Sequence, residues 1–342
     1  MKSNKRTYIF AGISLIALSF LTLILGSESI SFTDIMDSFS ADKISNDRQL
    51  EGVAYIIQEI RIPRILTAIF SGIGLSVAGL LMQSYFRNAL AGPYILGVSS
   101  GAGLGVALFL MAGVSFGMEV GSMFSGIVWF SILGSIGVLS IVLLFARIVG
   151  NGTMLLIIGL MIGSITSALV SVLQFFSGSE AIKKYLLWTM GSLTSVDKYE
   201  LLLFIPFIII GFIGALLLVN PLNALLLGDE QARSLGIEVK KIKTVTIIIT
   251  GLLAGTVTAF CGPVAFIGLA APHIAKIISK TSNHRVLLPL TALIGANILL
   301  FSDLVSQLPG FDTMLPINAV TSLIGAPIVI YIIIRDRKLK YD

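Results

Sequence analysis

The chain has 342 residues and a net charge of +5; 56% of the residues are hydrophobic, only 12% are charged, and the mean hydropathy is +0.98. Because a soluble domain carries about 25% charged residues, this composition excludes a water-soluble globular fold and indicates a helical integral membrane protein. A single cysteine, Cys261, excludes an internal disulfide, and two histidines are too few for most metal centres.

Ten apolar segments follow one another along the chain, most of them near the roughly 20 residues that cross a bilayer. The first follows Lys2, Lys5 and Arg6, but no small-residue cleavage site follows it, so we expect a retained span. The eighth is short and follows Gly262-Pro263, which predicts a bent or tilted helix. The predicted spans are 7–25, 66–86, 95–112, 126–145, 154–176, 201–219, 245–260, 264–278, 286–305 and 317–334.

Charge is distributed unequally between the two sides that ten spans define. With the N-terminus inside, the inner segments carry 16 Lys and Arg against five acids, whereas the outer segments carry seven against 13. The inner side is therefore +11 and the outer side −6, and the positive-inside rule places both termini in the cytoplasm. The basic balance reflects membrane topology, so we expect membrane lipids and no nucleic acid as partners.

Glycines recur four residues apart within several predicted spans, which places small residues on one helix face. Such faces let helix backbones approach closely, so they predict one compact transmembrane domain over residues 1–342. Glycine is also common in membrane helices generally, and this alternative explains part of the pattern. The spaced glycines are Gly97, Gly101 and Gly105, Gly159 and Gly163, and Gly251 and Gly255.

The predicted spans contain few ionisable groups, of which Asp303 and His273 lie near span ends. Proton-driven carriers usually need such a group as a coupling site, so the pattern disfavours them, although sodium can be held by carbonyls and hydroxyls. The chain also lacks the phosphate-binding motif G-x-x-x-x-G-K-[ST]. We therefore expect no enzymatic activity, nucleotide site, metal or cofactor of its own, and ATP-driven transport would need a separate ATPase chain.

The longest predicted cytoplasmic loop, about 222–241, carries a short helix signal. Asp229 can cap its start and Gly236 can end it. Leucines would then lie on one side, with Asp229, Glu230 and Arg233 on another. Such a helix could fit a groove on a soluble partner, or it could be an ordinary capped loop helix, and spacing alone does not separate the two.

Two further polar segments stand out. Arg61 and Arg64 oppose the acidic trend of the outer side, where they could pair with carboxylates of an extracellular partner or anchor the helix end. The segment 87–101 breaks the helix at Gly92-Pro93, and it has a loose echo in Gly262-Pro263 on the opposite side. The echo favours an all-α polytopic membrane protein with about ten transmembrane helices in two five-helix halves of inverted topology.

The order and spacing of these segments resemble the FecCD type of permease subunits, which belong to bacterial ABC importers for iron-siderophores, haem and cobalamin. The resemblance covers about residues 5–337, and its pieces are specific only in combination. They are Arg61-Ile62-Pro63-Arg64, residues 88–101, 188–193 and 228–236, Gly262 to Leu269 with Pro272-His273, and 315–321 leading to Gly325-Ala326-Pro327.

The resemblance implies a multi-pass subunit of the bacterial cytoplasmic (inner) membrane that works as a homodimer or pseudo-dimer. It implies an extracytoplasmic binding protein, whose glutamates would pair with Arg61 and Arg64. A further family arginine falls near Gln307, where this chain has no positive charge. Cytoplasmic ABC ATPase subunits would dock on the loop helix, at Gly228, Asp229, Glu230, Gln231, Ala232, Arg233, Ser234, Leu235 and Gly236.

The resemblance also places an inner gate at Gly152 and Thr153, at the start of the fifth span. The expected function is translocation of a metal chelate, an iron-siderophore or haem with cobalamin also possible, driven by ATP hydrolysis on the separate ATPase. The alternatives are an ion-coupled secondary carrier and a non-transporting membrane scaffold. Other pathway candidates, chosen because they are polar, are Gln83, Asn88, Ser99, Ser100 and Gln174.

Overall fold

The computed structural model describes residues 2–25, 30–38, 48–113, 123–149, 152–307 and 314–341, and within these ranges the regular secondary structure is entirely helical. Two stretches of the described chain are π-helical turns, Ile56–Arg61 and Leu108–Gly113. The helices are α1 Lys2–Ile24, α2 Phe32–Asp37, α3 Arg48–Tyr55, α4 Ile62–Phe86, α5 Val98–Ala107, α6 Met123–Val149, α7 Gly152–Phe175, α8 Ser179–Thr189, α9 Lys198–Leu217, α10 Val219–Leu225, α11 Asp229–Ser234, α12 Val239–Cys261, α13 Ile267–Ser279, α14 His284–Ser306 and α15 Ile317–Tyr341.

Seven helical stretches in the described part of the chain are long and apolar enough to cross a membrane. Three shorter apolar helices, Val98–Gly113, Ile267–Ser279 and Ile317–Tyr331, occupy the remaining predicted segments in the predicted order. The all-helical membrane fold is thus confirmed, whereas the count of ten spans stays a prediction. The eighth segment becomes helical only at Ile267, because residues 263–266 are irregular.

Helices α4 and α12 lie at the centre of the bundle. In each, 78% of the most apolar window is buried, compared with 11% for α1. A helix that is apolar on all sides is stable in the interior, and α4 packs against α12, α13 and α14. Helices α1, α6, α7 and α9 expose most of their apolar side chains, as expected for surfaces that face lipid.

Glycine contacts bring several helix backbones into direct contact. A Cβ atom added at Gly105 would lie 1.9 Å from the Phe130 carbonyl oxygen, and one added at Gly79 would lie 1.8 Å from the Gly268 oxygen. One added at Gly134 would lie 2.1 Å from the Gly101 oxygen. The predicted small-residue face of α5 is therefore confirmed, because it packs against α6 closer than any side chain allows.

The two irregular segments that the sequence singled out meet inside the bundle. The Tyr94 hydroxyl donates to the Val264 carbonyl oxygen at 2.5 Å, and Pro93 packs over Gly268. Each segment follows a central helix, α4 or α12, and precedes a shorter one, α5 or α13. This matching placement agrees with the proposed inverted halves, which stay a prediction.

Gly134→Ala and Gly137→Ala are a matched pair on α6, because an added Cβ at Gly137 meets nothing within 4 Å. We expect Gly134→Ala to lower stability by about 1–3 kcal/mol, since α5 and α6 must move apart. Gly137→Ala should be neutral or stabilising by up to about 1 kcal/mol through helix propensity. Thermal unfolding in detergent measures both, and equal effects would contradict close packing as the role of Gly134.

Candidate functional site

The loop helix exists as the short helix α11, and its ends are set by two glycines. Gly228 precedes it with φ +121°, and Gly236 follows it with φ +81°. The Gly236 amide donates to the Arg233 oxygen (2.9 Å) and the Ile237 amide to the Ala232 oxygen (3.1 Å), the two bonds of a Schellman C-terminus. The predicted stop at Gly236 is confirmed. The predicted cap was wrong, because Gly228 occupies the N-cap and no side chain caps the helix.

Asp229 instead ties α11 to the membrane bundle. Its carboxylate contacts Arg87 Nη2 at 2.5 Å and Lys243 Nζ at 2.6 Å, and Arg87 also donates to the Leu225 oxygen. Burial alone would raise the pKa of Asp229, but Lys243 and then Arg87 hold it below the ordinary value of 3.8. Arg87 ends α4 and Lys243 lies on α12. One carboxylate therefore connects the loop helix to both central helices.

The loop exposes several leucines to solvent, with polar side chains next to them. Leu227 and Leu235 are each 63% exposed, and Leu226 is 48% exposed. Ala232 is fully buried and fixes α11 against the bundle. The exposed polar residues are Glu230, Gln231, Arg233 and Ser234. An exposed apolar patch with a polar rim is typical of a protein interaction site.

On the opposite side of the bundle, Arg64 forms a buried ion pair. Its guanidinium contacts Asp303 at 2.8 Å and donates to the Ser306 hydroxyl at 3.1 Å, and both Arg64 and Asp303 are at most 5% exposed. Gln307 donates to the same carboxylate at 2.9 Å. Asp303 lies near the end of α14, as the sequence predicted, and its ion pair joins α4 to α14.

Arg61 is also buried, at 7% exposure, and donates to the carbonyl oxygens of Leu23 and Ile24 at the end of α1. The structure thus places both predicted docking arginines in internal contacts rather than on an open surface. These contacts fit the anchoring alternative that the sequence left open. Docking of a binding protein at Arg61 and Arg64 stays a prediction, and it would require at least one guanidinium to change partners.

A polar groove runs between α5, α7 and α8. One cavity of about 330 Å³ is lined by Ser99, Ser100 and Gln174. A second cavity, of about 450 Å³, is next to it, and Ser100 lines both. Hydroxyl and amide groups in a membrane bundle usually face an interior or a water-filled path. The groove is therefore the best pathway candidate in the described part of the chain.

Sequence reasoning missed Ser164 and Ser167, which line this groove. Ser164, Ser167 and Ser171 precede Gln174 at intervals of three and four, which puts all four on one face of α7. That periodicity was available from the sequence. Tyr185 and Trp188 of α8 also line the groove, and only the fold brings them there.

The other predicted pathway residues lie elsewhere. Gln83 contacts the Leu269 oxygen and the His273 ring, and His273 is buried within α13 rather than at its end. Asn88 is exposed and accepts from the Leu90 amide in a turn. Gly152 and Thr153 begin α7, about 30 Å from Gln174 by helical rise. The structure thus unites Ser99, Ser100 and Gln174 but not the proposed gate.

Comparisons with known proteins agree with this architecture. The family model of the FecCD transport family matches residues 14–335. The chain belongs to the FecCD transport family. It is 33% identical over 342 residues to the hemin transport system permease protein HmuU of Yersinia pestis, covering 99% of both chains. It is 36% identical over 283 residues to the vitamin B12 import system permease protein BtuC of Klebsiella pneumoniae, covering 82% of this chain and 83% of the relative.

A solved structure described as an inward-facing conformation of a metal-chelate type ABC transporter is similar to the whole bundle. Its TM-score is 0.84 at 31% identity, over 97% of this chain and 99% of that one. The chain is therefore an ABC importer permease of the metal-chelate type, and membership implies ATPase and binding-protein partners.

Asp229→Asn should weaken the link between α11 and the bundle. At pH 7 we expect a loss of at most about 1 kcal/mol, because both ion pairs are partly exposed to solvent. Since the native pKa is depressed, the carboxylate stabilises the fold above its ordinary pKa, and this contribution disappears as pH falls through the native value. Melting temperatures of the two proteins should thus differ at pH 7 and converge in acid; a constant difference would contradict the ion-pair role.

Arg64→Ala should destabilise the protein by about 3–5 kcal/mol, because Asp303 would stay buried without its ion pair. Adding Asp303→Asn should restore much of this loss, since an amide tolerates burial better than a carboxylate. Thermal unfolding in detergent measures both variants. If Arg64→Ala is as stable as the wild type and loses only the capture of the binding protein, Arg64 acts in docking and not in packing.

Proposed function

We propose that this chain forms the membrane pathway of an importer that carries a metal chelate into the cytoplasm and is driven by ATP hydrolysis on a separate ATPase subunit. One observation carries the proposal: the loop exposes Leu227 and Leu235 on either side of α11, while Asp229 ties α11 to α4 and α12. A loop helix attached to both central helices can transmit a partner's movement to the bundle.

Coupling would begin when ATP brings the two ATPase subunits together. Leu227 and Leu235 would fill an apolar groove on the ATPase, and Glu230 and Arg233 would make polar contacts at its edge. A displacement of α11 would move Arg87 through Asp229, and Arg87 ends the helix whose last turns hold Gln83. The irregular segment after α4 would then shift against α13, next to the polar groove.

A second permease copy is proposed to complete the pathway. Ser164, Ser167 and Ser171 lie on the exposed face of α7, so the polar groove is open on one side. A polar wall in the hydrocarbon region is more stable against protein or water than against lipid. Two copies facing each other across this groove would enclose a central path wide enough for a large chelate.

The proposed cargo is a metal chelate, with haem or an iron-siderophore ahead of cobalamin. The named relatives transport hemin and vitamin B12, which are both large metal chelates. The groove offers hydroxyl, amide and aromatic groups and no cluster of charges in the described residues. Weak, neutral contacts suit a cargo that must be released, so selection would rest mainly on the binding protein.

An ion-coupled secondary carrier is the second candidate. The ionisable pair in the bundle, Arg64 and Asp303, is the observation that favours it. Asp303 is already compensated by Arg64 and Gln307, which makes a structural role the stronger explanation. Uptake that survives ATP depletion but collapses with an ionophore would identify this alternative.

The test is capture of the ATPase by the tagged protein from its own host in mild detergent, followed by uptake in vesicles. We expect a stoichiometric P-loop ATPase with the wild type and about tenfold less with Glu230→Lys, because a reversed charge opposes docking. Glu180→Lys is the matched control, since Glu180 lies on α8 at the predicted outer side. Equal capture by both variants would contradict docking through Glu230, and failure of the wild type to capture an ATPase, or uptake independent of ATP, would refute the proposal.

A further inference from the structure

A further cavity, separate from the two cavities of the polar groove, opens between α6, α9 and α12. Its volume is about 500 Å³ and its wall is almost entirely apolar. Gly251 and Gly255 lie on its buried side, where Leu139 packs directly against Gly251 and Ser135 against Gly255. Trp129 and Leu203 lie on its rim and are 58% and 54% exposed. The cavity is thus a crevice in the surface that faces the bilayer; it is called the lateral crevice below.

The lateral crevice extends along the helices for more than the depth of one leaflet. On α6 it runs from Phe124 to Leu139, which is about 22 Å by helical rise, and half of a hydrocarbon core is about 15 Å. On the predicted orientation, Phe124 and Phe260 mark the outer end, and Leu139 and Ile248 mark the inner one. These dimensions fit an extended acyl chain that enters from the outer leaflet.

One carboxylate lines the outer end of the lateral crevice. Glu200 is half-buried in the first turn of α9, where its Oε2 accepts a hydrogen bond from the Asp197 amide in a capping box. The adjacent cation, Lys198, is bound to Glu59 at 2.5 Å. The outer end of the crevice therefore carries negative charge at the depth of a lipid headgroup, and its complement is a cation.

We propose that the lateral crevice binds an outer-leaflet phospholipid whose headgroup carries a primary ammonium, as in phosphatidylethanolamine. One acyl chain lies along α6 and α12 within the crevice, and the ammonium pairs with Glu200. The inference is independent of the cargo and of the ATPase, and it rests on the predicted orientation. An anionic headgroup, as in phosphatidylglycerol, would meet the carboxylate unfavourably.

Trp129 provides a direct reporter, because the chain has only two tryptophans and Trp188→Phe leaves Trp129 alone. The full-length protein is placed in vesicles of equal parts phosphatidylethanolamine and phosphatidylglycerol, with bromine on the acyl chains of one lipid or the other. Bromine quenches tryptophan fluorescence on contact. We expect quenching by brominated phosphatidylethanolamine to be about fivefold stronger than quenching by brominated phosphatidylglycerol. This ratio is the difference in binding that one partly exposed ion pair would give.

Glu200→Gln separates charge from structure, because glutamine keeps the capping-box acceptor but removes the negative charge. We expect equal quenching by the two lipids in this variant. Glu180→Gln, which removes an outer carboxylate from α8, is the control and should keep the preference. Native mass spectrometry of the same proteins should show retained phosphatidylethanolamine in the wild type and the control but not in Glu200→Gln.

Three results would overturn the proposal. Equal quenching by both lipids with Glu200 intact would remove the headgroup selectivity. A preference that persists in Glu200→Gln would assign it to another group. Absence of quenching by either lipid would show that the lateral crevice is covered, for example by a second copy of this chain.

Discussion

Backbone contact through glycine sets the geometry of this protein. Gly72 meets Gly295, Gly79 meets Gly268 and Gly101 meets Gly134 so closely that no Cβ would fit. Lipid offers no hydrophobic driving force between helices, so close van der Waals packing has to supply the association energy. Two of these three contacts lie on α4, which explains why that helix is surrounded by α12, α13 and α14.

The position of α4 gives its two ends particular importance. Arg64 stands at one end and is fixed to Asp303 of α14, and Arg87 stands at the other and is fixed to Asp229 of the loop helix. The two arginines are about 35 Å apart by helical rise. One continuous helix therefore joins the two ion pairs across the bundle. We regard this connection as the structural basis for the proposed coupling.

The irregular backbone lies where its polar groups find hydrogen-bond partners. The segments that follow α4 and α12 meet inside the bundle, where the Tyr94 hydroxyl donates to the Val264 carbonyl oxygen. Broken helices are tolerated at membrane depth only when such groups find partners. Their contact places the two breaks in the α-helices side by side next to the polar groove, whose walls include Tyr94 and Pro263.

Local signals in the sequence determined the helical membrane class, the order of the apolar segments, the stop at Gly236 and the small-residue face of α5. Each depends on composition, on helical period or on a single backbone conformation, all of which are readable without the fold. The polar face of α7 was equally readable, from Ser164 to Gln174.

Only the tertiary structure decided which charges meet. The partners Arg64 and Asp303 are 239 residues apart, and Arg87 and Asp229 are 142 apart. No local pattern records a pairing across that separation, because it results from helix packing. For the same reason Asp229 serves as an ion-pair partner and not as the cap that its position suggested.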